Sequence, residues 1–181
     1  PVAMLCGSSI KGMLAHRLAY HLRRHQEVWA EDMSDANHDD WQTRPEELKE
    51  LLGIADQDHA NSLAGKLFVE DSVINFEHTT IRHHNSIDRF TGGVRKGALY
   101  SEELLYQPEF TVKLSLAVDT SLSTELIKAI ENTLEDLKLG LLPMGAGSGR
   151  GTSLVMANHH KEWLVDLSQL QEKTSKQGVL V

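Results

Sequence analysis

The spacing of apolar residues predicts three helices. Leucines recur every four residues within 8–25, which is typical of a helix with one buried face. A shorter helix is expected over 46–52, because Pro45 suits a helix start and Gly53 suits a helix end. A third helix is expected over 126–137, where apolar residues lie three or four positions apart.

After the second helix the pattern becomes that of strands. Residues 66–74 and 76–87 are rich in β-branched and aromatic side chains. The clearest strand is 110–118, where apolar and polar residues alternate, so one of its faces should be buried. Further strands are expected at 152–157 and 162–167.

This order of elements indicates the fold class α+β. It fits a modified ferredoxin-like (RRM-like) βαββαβ arrangement whose N-terminal strand is missing or nearly so. We expect one domain over 1–171 and a polar tail over 172–181. The opening, Pro1–Leu5, has neither an initiator Met nor the features of a signal peptide, so the sequence reads as if entered partway through a domain.

Composition places the chain among globular proteins. Its 181 residues are 40% hydrophobic and 24% charged, and the apolar stretches are far shorter than the roughly 18 residues of a membrane helix. The single cysteine, Cys6, cannot form an internal disulfide. We therefore expect a cytoplasmic protein that does not contact a membrane.

The net charge of −8 is unevenly distributed. An acidic insertion, 27–59, holds 11 of the 26 acidic residues and only two basic ones, which gives it a charge of −9. The rest of the chain is close to +1. Because binding depends on the local field, the total charge does not exclude RNA as a partner.

A glycine-rich loop, 143–151, is the strongest motif. Glycine occupies every second position from Gly145 to Gly151, and Arg150 lies among them. Such a loop exposes backbone amides that can lie against a phosphate. It follows a helix and opens a strand, which excludes a dinucleotide fingerprint, and it lacks the Lys of a P-loop. A tight, mobile turn fits the pattern equally well.

The first predicted helix begins with a second motif, Gly-Ser-Ser-Ile-Lys-Gly at 7–12. Free amides, the hydroxyls of Ser8 and Ser9, and Lys11 would together favour a bound phosphate. The alternative is a plain capped helix with a solvated lysine.

A basic stretch, 82–96, is the third candidate. It contains four basic residues, one acidic residue and an aromatic side chain, Phe90. A basic hairpin that presents an aromatic ring can lie along RNA and wedge between its bases. The alternative is an ordinary solvated hairpin.

Metal and nucleophile sites are not indicated. The ten histidines include no His-Glu-x-x-His arrangement. Two histidines that are adjacent in sequence would point to opposite faces of a strand, so they could not easily share one metal ion. Asp35, Asp39 and Asp40 could bind a divalent cation, but a solvated acidic loop is the favoured interpretation of these residues. No Ser-His-Asp or Cys-His set is present, and we expect no cofactor bound by this segment.

Four motifs occur in one order along the chain: 7–12, 65–71, 87–93 and 145–151. Together they resemble the RAMP superfamily, in particular the repeated backbone subunit of type III CRISPR effector complexes. The resemblance covers nearly the whole chain.

The resemblance implies an RNA-binding subunit for antiviral defence. Such subunits stack beside neighbouring RAMP subunits along a CRISPR guide RNA, and the guide pairs with target RNA. A thumb hairpin, here 87–101, would kink the guide. The implied RNA-binding residues are Ser8, Ser9, Lys11, Arg17, Arg89, Phe90, Arg95, Lys96, Gly147, Gly149 and Arg150.

The resemblance also leaves an enzymatic alternative open. Many backbone subunits cut target RNA with an Asp and a divalent cation, Mg²⁺ or Mn²⁺. That Asp would precede Pro1, so the catalytic residue is unknown here. A base expected on the first helix is replaced by Ala15, with Arg17 two positions further on. The functional alternatives are a guide-binding scaffold, a metal-dependent endoribonuclease and, more distantly, a phosphate enzyme using the glycine loop.

Overall fold

A computed structural model describes residues 2–29, 31, 44–55, 62–117, 122–145 and 147–158. The chain divides into two compact units. The first contains Pro1–Leu5 and Asp71–Val112, and the second contains Cys6–Glu70 and Lys113–Val181. The expectation of one domain over 1–171 stays a prediction.

The three predicted helices are confirmed. They are α1 (Gly7–His25), α2 (Glu46–Leu52) and α3 (Thr124–Lys138). Ser123 caps α3, because its hydroxyl accepts a hydrogen bond from the Leu126 amide at 3.2 Å. None of the helices in the described ranges combines the length and the apolar character that crossing a membrane requires.

The core of the second unit lies where the three helices pack together. Leu22 and Leu48, from α1 and α2, are fully buried, and Ala129 from α3 joins the same cluster. Leu67 and Leu116 pack against it from two strands. Replacing a buried leucine with alanine in such a core typically costs 2–5 kcal/mol, so the repeating leucines hold these helices together.

Within the described residues, six short strands form three two-stranded antiparallel sheets. The pairs are β1 (Ala3–Leu5) with β3 (Ser72–Ile74), β2 (Leu67–Val69) with β6 (Leu114–Leu116), and β4 (His78–His84) with β5 (Tyr100–Tyr106). The mixed α+β class is therefore confirmed, and it is consistent with the expected ferredoxin-like fold.

The structure corrects the predicted N-terminal strand. We expected it to be missing or nearly so, but Ala3–Leu5 forms a strand of three residues that pairs with β3. The stretch 66–74 is divided into two strands because the residues before and after Glu70 pair with different partners, β6 and β1.

Other strand boundaries also differ from the sequence pattern. Of the predicted strand 110–118, the structure describes residues 110–117, and within these Leu114–Leu116 is paired as a strand, because its partner β2 is three residues long. The piece 152–157 contributes one isolated bridge, from Leu154 to Pro143. The strand expected at 162–167 lies outside the described residues.

Candidate functional site

The strands β4 and β5 form a ribbon of seven residue pairs, and the loop that joins them carries most of the basic stretch. The loop is narrowed by a bridge between Ile87 and Val94, and the Arg95 amide donates to the Ser86 carbonyl at 2.9 Å. The predicted thumb, 87–101, thus corresponds to this loop and the first residues of β5.

A carboxylate organises the tip of the loop. One oxygen of Asp88 accepts hydrogen bonds from the amides of Phe90 and Thr91, both at 2.9 Å, and from the Thr91 hydroxyl at 3.3 Å. The amide bonds from Thr91 and Phe90 favour the charged form, so they lower the pKa of Asp88. An ionised Asp88 therefore fixes the backbone on both sides of Phe90.

The side chains at this tip point into solvent. Phe90 is 99% exposed, although burying an aromatic ring would normally be favourable. Arg89, Arg95 and Lys96 are also exposed, and none of them pairs with a carboxylate in the part of the chain that the structure describes. The loop thus carries one exposed aromatic ring and three exposed cations.

The first turn of α1 is fixed against β2. The Lys11 ammonium donates to the Leu67 carbonyl at 2.8 Å, and a Cβ at Gly7 would lie only 2.2 Å from the Val69 carbonyl oxygen. Burial, assisted by the charge of Arg44, lowers the pKa of Lys11. Lys11 is therefore bonded to the protein itself.

The two serines of the same motif have a different environment. Ser8 and Ser9 are exposed at the start of α1. The residue that precedes the helix, Cys6, provides no side-chain cap. The Ser9 and Ile10 amides already donate to the Cys6 carbonyl, so the exposed hydroxyls of Ser8 and Ser9 remain the part of this motif that can reach a phosphate.

Arg17 lies between α1 and α3. Its Nε donates to a carboxylate oxygen of Asp136 at 2.5 Å, and His21 Nε2 lies 2.6 Å from the same oxygen. The guanidinium also lies over the ring of Tyr20, 4.8 Å from its centroid. Burial would raise the pKa of Asp136, but the hydrogen bonds from Arg17 and His21 outweigh it and lower that pKa. We call these residues the Asp136 cluster: Arg17, His21 and Asp136.

The glycine-rich loop is a tight turn with a short 3-10 helix, Ser148–Arg150. Gly147 has a φ of 89°, its carbonyl accepts a hydrogen bond from the Thr152 hydroxyl at 3.0 Å, and a Cβ at this position would lie 2.4 Å from that hydroxyl. Gly149 has open space around it, and Arg150 is exposed. The geometry requires glycine at 147 for the turn and leaves the surface at 149 accessible.

The structure groups the predicted RNA-binding residues only in part. The tip residues share one unit, whereas Ser8, Ser9, Lys11 and Arg17 belong to the other unit, together with Gly147, Gly149 and Arg150. The internal partners of Lys11 and Arg17 had no local signal, because they lie 56 and 119 positions away. Asp35, Asp39 and Asp40 fall outside the described residues.

The described residues do not form a metal site. Over the described ranges, no three His, Cys, Asp or Glu side chains come together closely enough to hold an ion.

Comparison with known proteins identifies the family. No curated protein matches the chain. A family model described as the RAMP superfamily matches residues 2–155 of the 181. The match supports a CRISPR-associated function in which the protein binds RNA and works with protein partners in a complex. By this match over most of its length, the chain belongs to the RAMP superfamily.

Proposed function

We propose that the protein is a guide-RNA-binding backbone subunit of a type III CRISPR effector complex. It stacks with neighbouring RAMP subunits along the guide and presents the guide to target RNA. The observation that carries this proposal is the ordered tip, where Asp88 fixes the backbone at a fully exposed Phe90 in a short loop that also carries three exposed cations. A ring and cations in this arrangement suit a base and the phosphates next to it.

The contacts with the guide are assigned by chemistry. Arg89, Arg95 and Lys96 bind phosphates, since their charges have no protein partner among the described residues. Phe90 stacks on a base or wedges between two bases. Arg17 is a weaker candidate, because its guanidinium already pairs with Asp136.

Two further groups of contacts belong to the second unit. Ser8 and Ser9 meet the guide backbone through their exposed hydroxyls, and the exposed Gly149 and Arg150 lie against it. Lys11 and Gly147 shape these two surfaces by holding the first turn of α1 on β2 and the glycine-rich loop in its turn.

Co-purification tests the proposal directly. When the full chain is expressed with a CRISPR array and its partner subunits, we expect it to retain an RNA of guide length through purification. The measurement is the ratio of absorbance at 260 and 280 nm, followed by sizing of the extracted RNA. Purification of an assembled complex without RNA would contradict the proposed function.

Phe90→Ala is expected to weaken guide binding by about 1–3 kcal/mol, the usual cost of one lost stacking contact. Because Phe90 is 99% exposed, the melting temperature should not change. The salt dependence of binding should also stay the same, since no charge is lost. Phe90→Tyr, which keeps the ring, is the matched control. A lower melting temperature with unchanged affinity would instead show that Phe90 has a packing role.

A further inference from the structure

One face of the β4–β5 ribbon has a composition that the tip does not explain. Directly opposite residues of an antiparallel pair share a face, and alternate positions along each strand continue it. By the register, this face consists of four cross-strand pairs, here called the aromatic face: His78–Tyr106, Thr80–Leu104, Arg82–Glu102 and His84–Tyr100.

The aromatic face carries two stacked pairs of rings. The rings of His78 and Tyr106 have centroids 4.6 Å apart and planes inclined by 30°. Those of His84 and Tyr100 are 4.9 Å apart and inclined by 18°. The two pairs are six residues apart along each strand, which corresponds to about 20 Å.

These rings are accessible. Tyr106 is 49% exposed and Tyr100 is 46% exposed, and the imidazole of His78 is exposed as well. Between the two stacks, Arg82 is exposed and lies opposite Glu102, which carries the opposite charge and whose carboxylate oxygen lies 3.0 Å from His84 Nε2. Its only aliphatic side chain is Leu104, which is half-buried.

This composition favours bases over phosphates or an apolar protein surface. The core of a protein interface is mainly apolar, whereas the aromatic face alternates rings with polar groups. Aromatic rings with polar edges accept the flat face of any base, as in other single-strand binding surfaces. The cations of the adjoining tip, Arg89, Arg95 and Lys96, would attract the polyanion that supplies those bases.

We propose that the aromatic face is a second RNA contact, on which unpaired bases stack against the rings of the two His–Tyr pairs. It extends the RNA path from the tip along the ribbon and adds no phosphate contact of its own. The inference rests on the proposed function, since it takes RNA as the partner of this hairpin.

The test uses the full chain and a fluorescein-labelled, unstructured 20-nucleotide RNA of mixed sequence. For the double variant Tyr100→Leu with Tyr106→Leu, we expect the dissociation constant to rise about fivefold or more for each ring lost. The slope of log affinity against log salt should not change, because no charge is removed. Fully base-paired RNA should show no difference between this variant and the wild type.

Two controls isolate the rings and the face. Tyr100→Phe with Tyr106→Phe keeps both rings and should bind like the wild type. Ile81→Ala removes an exposed apolar side chain from the opposite face of the same strand and should also leave binding unchanged. If the double leucine variant melts at a lower temperature, the single variant Tyr106→Leu carries the test.

Three outcomes would overturn the inference. One is a folded double leucine variant that binds RNA as tightly as the wild type. Another is a variant that keeps its RNA affinity but loses its partner subunits, which would assign the face to a protein contact. The third is an equal loss from Ile81→Ala. If charge removal at the tip weakens binding while the leucine variants do not, this inference fails and the proposed function stands.

Discussion

Replacing Arg89, Arg95 and Lys96 together with alanine is expected to weaken guide-RNA binding about a hundredfold at 0.1 M salt. Each contact with a single-stranded phosphate releases counterions and contributes roughly 0.7 to the slope of log affinity against log salt. At 0.1 M salt the same term is worth about fivefold in affinity per contact. RNA titrations of the triple variant at several salt concentrations should therefore show weaker binding and a smaller slope of log affinity against log salt.

A matched charge change separates contact from overall charge. Lys113, Lys128 and Lys138 lie outside the hairpin. Their replacement with alanine removes three positive charges, as many as the triple variant at the tip loses. We expect this control to keep most of the affinity and the slope of the wild type. Equal losses in both triple variants would contradict a phosphate site at the tip, because the effect would then follow from net charge alone.

Asp136→Ala is expected to lower the free energy of unfolding by about 2–3 kcal/mol. The change leaves His21, which is 4% exposed, without a partner for its Nε2, and it leaves the Arg17 guanidinium unpaired between α1 and α3. The expected loss of stability is larger than the cost of breaking a surface ion pair and smaller than the cost of breaking a fully buried pair. Denaturant titration measures the loss.

The neighbouring Glu135→Ala is the control for this effect. Glu135 is exposed and pairs with Lys138 at 3.5 Å on the surface of α3, so its loss should cost less than about 1 kcal/mol. Similar losses in Asp136→Ala and Glu135→Ala would contradict the role given to the Asp136 cluster.

The pH dependence gives an independent check on Asp136. Its pKa is lower in the folded chain than the usual value near 3.9 in the unfolded chain. Its contribution to stability is therefore fully present above about pH 4 and is lost as the pH falls through the folded pKa. Asp136→Asn should remove this dependence. Parallel loss of stability in both proteins below pH 4 would contradict it.

Helices could be predicted because their signals are local. The leucine spacing of α1 and the Pro45 and Gly53 boundaries of α2 depend on neighbouring residues alone. Strand β5 was missed because its sequence, Tyr-Ser-Glu-Glu-Leu-Leu-Tyr, does not alternate. It forms because β4 supplies seven paired positions, and sequence periodicity carries no information about that pairing.

In the candidate site, too, the features with a local signal could be predicted and those set by tertiary contacts could not. The basic residues and Phe90 at the tip were predicted, since a short hairpin loop keeps its residues together. The partners of Lys11 and Arg17, Leu67 and Asp136, are set by tertiary packing and had no signal in the sequence. The two His–Tyr stacks were missed for a related reason, because they depend on strand register.

Within the motif at 7–12, the structure constrains Gly7 and the two serines differently, because Gly7 lies close to the Val69 carbonyl. At Gly7 only shape matters, because any side chain would lift α1 from β2 and strain the bond from Lys11 to Leu67. The next two positions, Ser8 and Ser9, are exposed and carry no such constraint. Substitutions at the two serines would therefore change the strength of the proposed phosphate contact while the position of the helix on β2 stays the same.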